Sequence, residues 1–279
     1  MADERIPEEI VAWMNSKGWG PHHDQWHFER RWDFWHAIAS QPGQPVWVDD
    51  LLSEAKSKGW KRLPIQEGET GNGEDFLFMH RAMFQLLVDN FPQHLHFVRG
   101  WQSPPSDPSD LDDPVPPDEV GSPPNPAKGA MNVNMASAIT KMEARQSPFQ
   151  SDDEFGLFLE TNLRPVPGNP LARSSDPATG LHNYLHNRWS DSTSPINLGD
   201  PTVNIFNHRF WKLHGWIDHQ WWRFRRAKGL SDSDATYTTK LAFYVQMMNQ
   251  DAHHHHFAHV LGETTARRST RNVFALDVQ

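Results

Sequence analysis

The sequence contains no cysteine. A disulfide framework is therefore excluded, and so is any metal site built on thiolates. No apolar run approaches the roughly 20 residues that a membrane helix needs, so no membrane span is expected. Positive charge is not in surplus: Asp and Glu number 35 against 26 Lys and Arg, for a net charge of -9. A nucleic-acid binder needs a basic face to neutralise phosphates, and that class is not expected. The one basic run, Arg223 to Lys228, falls at the expected end of a helix, where cations complement the helix dipole. The opening MADERIPEEIVAWM is charged and lacks a signal-peptide pattern, which gives a cytoplasmic expectation.

Two residue types are abundant instead. The 279 residues include 13 tryptophans and 17 histidines. The length allows a sizeable core. Trp26, Trp35, Trp211, Trp216, Trp221 and Trp222 all lie close to histidines in sequence. Their default role is core packing, and they are also candidates to wall a dry pocket.

Helical periodicity dominates the chain. Helices are expected over Ile6–Lys17, Asp24–Ser40, Val48–Lys58, Phe76–Asn90, Met131–Arg145, Asp152–Asn162, Gly180–Trp189, Phe206–Lys228 and Asp232–Asn249. Gly18 and Gly20-Pro21 stop the first of them. Residues 103–130, rich in Pro, Asp and Ser, lack donors and apolar surface. They read as a long surface loop, and loops of that length are often lids. Leu163 to Thr179 reads as a proline-interrupted loop. The expectation is a mainly α protein with long irregular loops, residues 1–279 forming a single domain.

The histidines carry a pattern. His23 and His27 form one HxxxH pair and His182 and His186 a second. Residues four apart lie on one helix face, so two imidazoles so placed can bind one metal. Each pair is followed by a lone histidine on a later amphipathic helix, His80 and then His214. Two-plus-one ligands, twice over, suggest two three-histidine sites facing across a four-helix bundle, a common way to hold paired metals. Imidazole suits copper, zinc, iron and nickel alike.

Several segments resemble a known family. Gly73-Glu-Asp-Phe-Leu-Phe-Met-His80 is similar to the segment that delivers the third CuA ligand in arthropod hemocyanins and insect-type phenoloxidases. His80-Arg81 resembles the His-Arg pair at that point in tyrosinases. Leu181-His-Asn-Tyr-Leu-His186 is similar to the CuB motif of both groups, and Phe210 through His214 to Asp218 to the last CuB segment. The family is that of the type 3 copper proteins, and the likeness runs from about residue 20 to 250. It implies a four-helix bundle holding a dicopper centre. CuA would be held by His23, His27 and His80, and CuB by His182, His186 and His214. The chain departs from the family at Asn207-His208, where an Asp-Pro is usual. Gly71 stands where tyrosinases carry a CuA histidine, so only the hemocyanin-like HxxxH layout fits. His22 is the alternative to His23, with a spacing of five to His27 rather than four.

The resemblance also implies chemistry. Asn183 matches the asparagine that in tyrosinases helps hold a water acting on the phenol proton; the usual partner glutamate upstream is not evident, and the nearest acid is Asp176. Asp218 is a candidate carboxylate for the outer nitrogen of His214, with an ordinary helix salt bridge as the alternative. The expected function is an oxygen-dependent oxidase or monooxygenase acting on phenols, catechols or o-aminophenols. Two copper ions are its cofactors, dioxygen its co-substrate, a small aromatic molecule its substrate, and a copper-loading protein a candidate partner. The alternatives are a hemocyanin-like oxygen- or copper-binding protein and a mononuclear zinc-type hydrolase. The last lacks an activating glutamate in either HxxxH pair. Only 22 residues precede His23 and 61 follow Asp218, which leaves no room for the flanking domains of arthropod hemocyanins and favours an enzyme. His36, His94 and His96 read as packing or surface residues. His208 and His219 flank His214, and His253 to His256 read as a solvated patch, with copper capture as the alternative.

Overall fold

The computed structural model describes residues 5–250, apart from 44–45, 97, 107, 111–112, 119, 122–124, 126, 129–131, 162, 167–168, 176–179 and 191–193; for 132–134 and 163–175 it describes the backbone. The fold is mainly α, as the periodicity predicts. The helices are α1 (Glu8–Ser16), α2 (Trp19–Arg30), α3 (Trp32–Ala39), α4 (Val46–Ser57), α5 (Asn72–Asn90), α6 (Asn132–Glu143), α7 (Asp152–Glu160), α8 (Leu181–Asn187), α9 (His208–Ala227) and α10 (Ala235–Met248). No helix among the described residues is long and apolar enough to cross a membrane. The His253 to His256 run lies outside the described residues.

Helix α5 is buried on every side between Phe76 and Leu87 except at Gln85. It packs against α7 and α10. Its contact with α7 depends on two glycines. A Cβ on Gly156 would lie 2.0 Å from the carbonyl oxygen of Gly73, and one on Gly73 would lie 2.2 Å from Leu157 N. The two backbones touch there, which brings the C-terminal end of α7 beside the first half of α5. The core around α5 includes Trp19, Trp211, Trp216 and Trp221, all fully buried. A smaller cluster of Phe28, Ala55 and Trp60, backed by Trp32, Trp35, Leu51 and Leu52, lies under α3 and α4.

The helix expected over Asp24–Ser40 is two helices, broken at Arg31, and it starts earlier, at Trp19: Gly20 and Pro21, expected as a stop, lie in the first turn of α2, where proline is tolerated. The physical reason for the break is tertiary. The carbonyls of Glu29 and Arg30, which a continuous helix would offer to residues four further on, accept instead from Leu63 N and Glu67 N. Gln66 completes the exchange, donating to Glu29 O at 2.9 Å and accepting from Asp33 N at 3.1 Å. Both broken ends are therefore satisfied, and the loop after α4 is fixed to the end of α2.

Leu163 to Thr179 is not simply loop. Leu163–Val166 (β1) and Asn169–Ser175 (β2) pair antiparallel, with Leu163 opposite Ser175. The hairpin leaves from the end of α7 and returns to the start of α8, and Gly180 N donates to Phe158 O at 3.0 Å across its base.

The 103–130 segment is irregular, as expected, but it is pinned rather than loose. Asp113 is fully buried and accepts from Trp101 Nε1, His208 Nε2, Arg209 Nε and Lys212 Nζ at 2.8–3.1 Å. Arg188, also buried, donates to the carbonyls of Pro105 and Ala127. A run with few apolar residues is held by one buried anion and one buried cation. The basic run at the end of α9 is partly internal: Arg225 is buried and pairs with Asp152 and Asp232.

Candidate metal centre

Four helices deliver six imidazoles. Helix α2 carries His23 and His27, α5 carries His80, α8 carries His182 and His186, and α9 carries His214. Gly18 and Gly180, both in the left-handed region at φ 64° and 73°, start α2 and α8 a few residues before each pair. The ligand atoms of His23, His27 and His80 lie within 4.8 Å of one another, and so do those of His182, His186 and His214. Five of the six residues are buried, and His27 is partly exposed.

The ring nitrogens are sorted by what they face. His23 Nδ1 donates to Pro201 O at 3.0 Å, His80 Nδ1 to Phe76 O at 2.8 Å and His186 Nδ1 to Leu198 O at 2.7 Å. A neutral imidazole has one N–H, so the Nε2 of each of these rings carries a lone pair. The Nε2 atoms of each triad crowd together. His23 Nε2 lies 3.1 Å from His27 Nε2, and His214 Nε2 lies 3.2 Å from His186 Nε2 and 3.3 Å from His182 Nε2. Nitrogens bound at 2.0–2.1 Å to one tetrahedral ion stand about 3.3 Å apart. His214 Nε2 meets two neighbours and has at most one proton to offer. A cation in each triad would give these crowded ring nitrogens a common partner.

Protonation does not offer an alternative. Burial holds all six imidazoles below the ordinary histidine range, with His23 and His186 pushed down to about 4. Neighbouring imidazoles add to the effect at His23, His27, His80, His182 and His214. Neutral rings are the form that binds a metal.

The two triads face each other. His80 and His214 stack with ring centroids 4.0 Å apart, and His27 stacks over His182 at 6.1 Å. Phe76 and Phe210 pack against the assembly. Phe76 contacts His27, His80, His182 and His214, and Phe210 contacts His23, His80, His186 and His214. Trp26 packs against His27 and His80. Tryptophan thus supplies one of the neighbours, and phenylalanine supplies the two that touch both triads.

Sequence reasoning missed these phenylalanines, although the signal was present: each stands four residues before a lone histidine, one turn back on the same face. It also missed Glu160. This carboxylate, on the last turn of α7, is 1% exposed. It is gripped by Arg30 through two hydrogen bonds of 2.7 and 2.8 Å, and its Oε1 lies 3.5 Å from His27 Nδ1. Burial raises its pKa, and Arg30 opposes that rise. Asp176, the nearest acid to Asn183 in the sequence, lies outside the described residues.

The other sequence candidates separate cleanly. Asn183 is partly exposed on α8 and donates its amide to Glu160 O at 2.9 Å. Asp218 is the partner of Arg81 (Nε to Oδ1 2.6 Å), not of His214. Arg81 also donates to Tyr237 and lies over the Trp221 ring. His22 is buried next to His23, but the clustered ligand set contains His23. His36 is exposed, bonded to Trp32 O and stacked on the Trp32 ring. His94 meets Glu9, His208 binds Asp113, and His219 stacks on Trp222. None of these belongs to either triad.

The sequence matches no protein-family model, and comparison with curated proteins returns no match.

Proposed function

We propose that the chain is a dicopper protein that uses dioxygen to oxidise small aromatic substrates, namely phenols, catechols or o-aminophenols. The observation that supports this reading is the pair of opposed three-imidazole sets, each with its ring nitrogens crowded together. The donor set contains neither thiolate nor carboxylate, which disfavours the metals that prefer sulfur or oxygen. Among the imidazole-binding metals, Cu(I) brings the least charge into a site of neutral, buried ligands, and burying charge is costly. The resemblance to type 3 copper proteins points the same way, with CuA at His23, His27 and His80 and CuB at His182, His186 and His214 in a four-helix bundle.

When bound, two Cu(I) ions supply one electron each to dioxygen. The protein's own residues do the rest. Phe76 and Phe210 pack around the imidazoles and exclude water. His27, the one ligand with appreciable exposure, marks the side from which a substrate approaches. Asn183, fixed by Glu160 O next to His182, holds a water or a substrate hydroxyl proton on that side.

The test begins with metal analysis of the purified chain. Two coppers per chain, and an intense near-ultraviolet band on adding hydrogen peroxide to the copper-loaded protein, are expected. Turnover of a phenol, catechol and o-aminophenol panel should follow. A single copper, or zinc with no such band, overturns the reading. The band without turnover of any substrate leaves a hemocyanin-like binder.

A further inference from the structure

The outer nitrogens of the two triads are not held alike. In the first triad every Nδ1 faces an acceptor: Pro201 O for His23, Phe76 O for His80 and the Glu160 carboxylate for His27. In the second, only His186 has one, Leu198 O. The Nδ1 atoms of His182 and His214 are buried and meet no hydrogen-bond partner among the described residues. An acceptor on Nδ1 keeps the proton off Nε2, orients the ring and raises the basicity of the metal-binding nitrogen. A ring without one is free to carry its proton on Nε2, the atom that must be bare.

Glu160 is the distinctive member of this set, being the one acceptor that is an anion rather than a backbone carbonyl. It is also the one that is itself clamped. Arg30, 2% exposed, holds both carboxylate oxygens, donates to Asn72 O and lies 4.1 Å over the Trp26 ring. Arg30 is three residues after His27 on α2, and Glu160 ends α7. The pair therefore fixes the ligand helix to α7 at the level of the metal centre. A buried ion pair adds little net stability, so its position against a ligand ring asks for another explanation.

We propose that Glu160 is a positioning residue for His27, and that the His23/His27/His80 triad is in consequence the tighter of the two metal sites and fills first. The inference rests on reading the triads as metal sites, not on the identity of the metal or on any oxidation. When His27 Nε2 takes up a cation, the 3.5 Å approach of its Nδ1 to Glu160 closes into a charge-assisted hydrogen bond. The second triad must fix the tautomer of two rings whose Nδ1 atoms meet no acceptor among the described residues.

The experiment is a zinc titration of the metal-free full chain against a chromophoric chelator, in a background with His253 to His256 replaced by alanine so that the run does not compete. Two steps are expected. His27→Ala should remove the tighter and His182→Ala the weaker, which assigns them. Replacing both members of the pair, Arg30→Gln with Glu160→Gln, avoids leaving a lone buried charge. It should weaken the tighter step 10- to 100-fold, the range seen when such partners are lost, and leave the other unchanged. Nitrogen NMR of the zinc-loaded wild type should show the His27 proton on Nδ1. Equal weakening of both steps, no weakening, or a tighter step that disappears with His182 overturns the proposal. If neither histidine variant removes a step, the metal reading falls with it. If zinc behaves as expected and the copper-loaded protein oxidises nothing, the proposed function falls and this inference stands.

Discussion

His80 and His214 belong to different triads, yet their imidazoles stack at a centroid separation of 4.0 Å with planes 8° apart. Each ring is one wall of its neighbour's site. His80→Ala is therefore expected to abolish one metal equivalent and to weaken the other about tenfold, because the remaining ring loses its stacking partner. His36→Ala, outside both triads, should leave two equivalents. Metal analysis after dialysis at graded chelator concentrations separates the outcomes; an unaltered second site in His80→Ala would mean that the stack is passive.

The metal-free protein should be acid-labile. Native-state pKa values pushed below the unfolded value near 6.5, to about 4 at His23 and His186, mean that the unfolded chain binds more protons in that window. Stability is then present above pH 6.5 and lost as pH falls toward 4. Each unit costs about 1.4 kcal/mol per histidine kept neutral. His23 and His186 alone then take a sizeable share of a typical domain stability of about 5–15 kcal/mol, and the other four rings shift in the same direction. Chemical unfolding at pH 7.5, 6.5 and 5.5 should show this slope in the metal-free form. Metal occupancy, which also requires neutral rings, should fall in the same direction. A flat profile would contradict the buried, neutral state of the triads.

Asp113 is expected to be a stability residue. Burial alone would raise its pKa, but hydrogen bonds from His208, Lys212 and Trp101 hold it well below the ordinary carboxylate range. Its contribution is present at neutral pH and lost only at strongly acid pH. Asp113→Asn leaves Arg209 and Lys212 without their shared anion, and about 3–5 kcal/mol of destabilisation is expected. Thermal unfolding measures it. The same anchoring makes a freely swinging lid at 103–130 a poor expectation: deletions there should lower the melting temperature before they alter any substrate affinity.

Asp218→Asn separates two roles. Asp218 holds buried Arg81, so its neutralisation should cost about 3–5 kcal/mol while leaving metal affinity at His214 within a few-fold. Loss of metal without loss of stability would instead place Asp218 behind His214.

Gly156→Ala should be among the most damaging single changes outside the triads. The new methyl would meet the Gly73 carbonyl oxygen at 2.0 Å, and backbone has no rotamer with which to yield. Overpacking costs typically 1–3 kcal/mol and more where nothing can move. Because the shift would part α7 from α5, metal content should drop along with the midpoint of urea unfolding.

Local signals carried far in this chain. The 3.6-residue periodicity located nine helical stretches, and HxxxH spacing together with lone histidines on later helices picked out the six imidazoles that converge. The first is contained within single helices, and the second in short motifs and their order along the chain. What stayed hidden is what depends on a partner distant in sequence. The break at Arg31 exists because residues 63–67 take the carbonyls of Glu29 and Arg30. Glu160 stands 130 residues from Arg30, with no periodicity tying the two together. Asp218 sits at the spacing of a His214 partner, but Arg81, a cation on another helix, wins it by charge and a 2.6 Å bond. Asp113 lies in a stretch whose composition reads as solvated, because one anion that collects four donors leaves no compositional trace.

The hydrogen bond from Gly180 N to Phe158 O pinches the chain where the hairpin departs and rejoins. Glu160 lies on one side of the pinch and His182 on the other, so the bond ties the two together independently of the hairpin between them. The scaffold thus has a neck at which the hairpin can be shortened or exchanged, with the six histidines all carried on helices outside it.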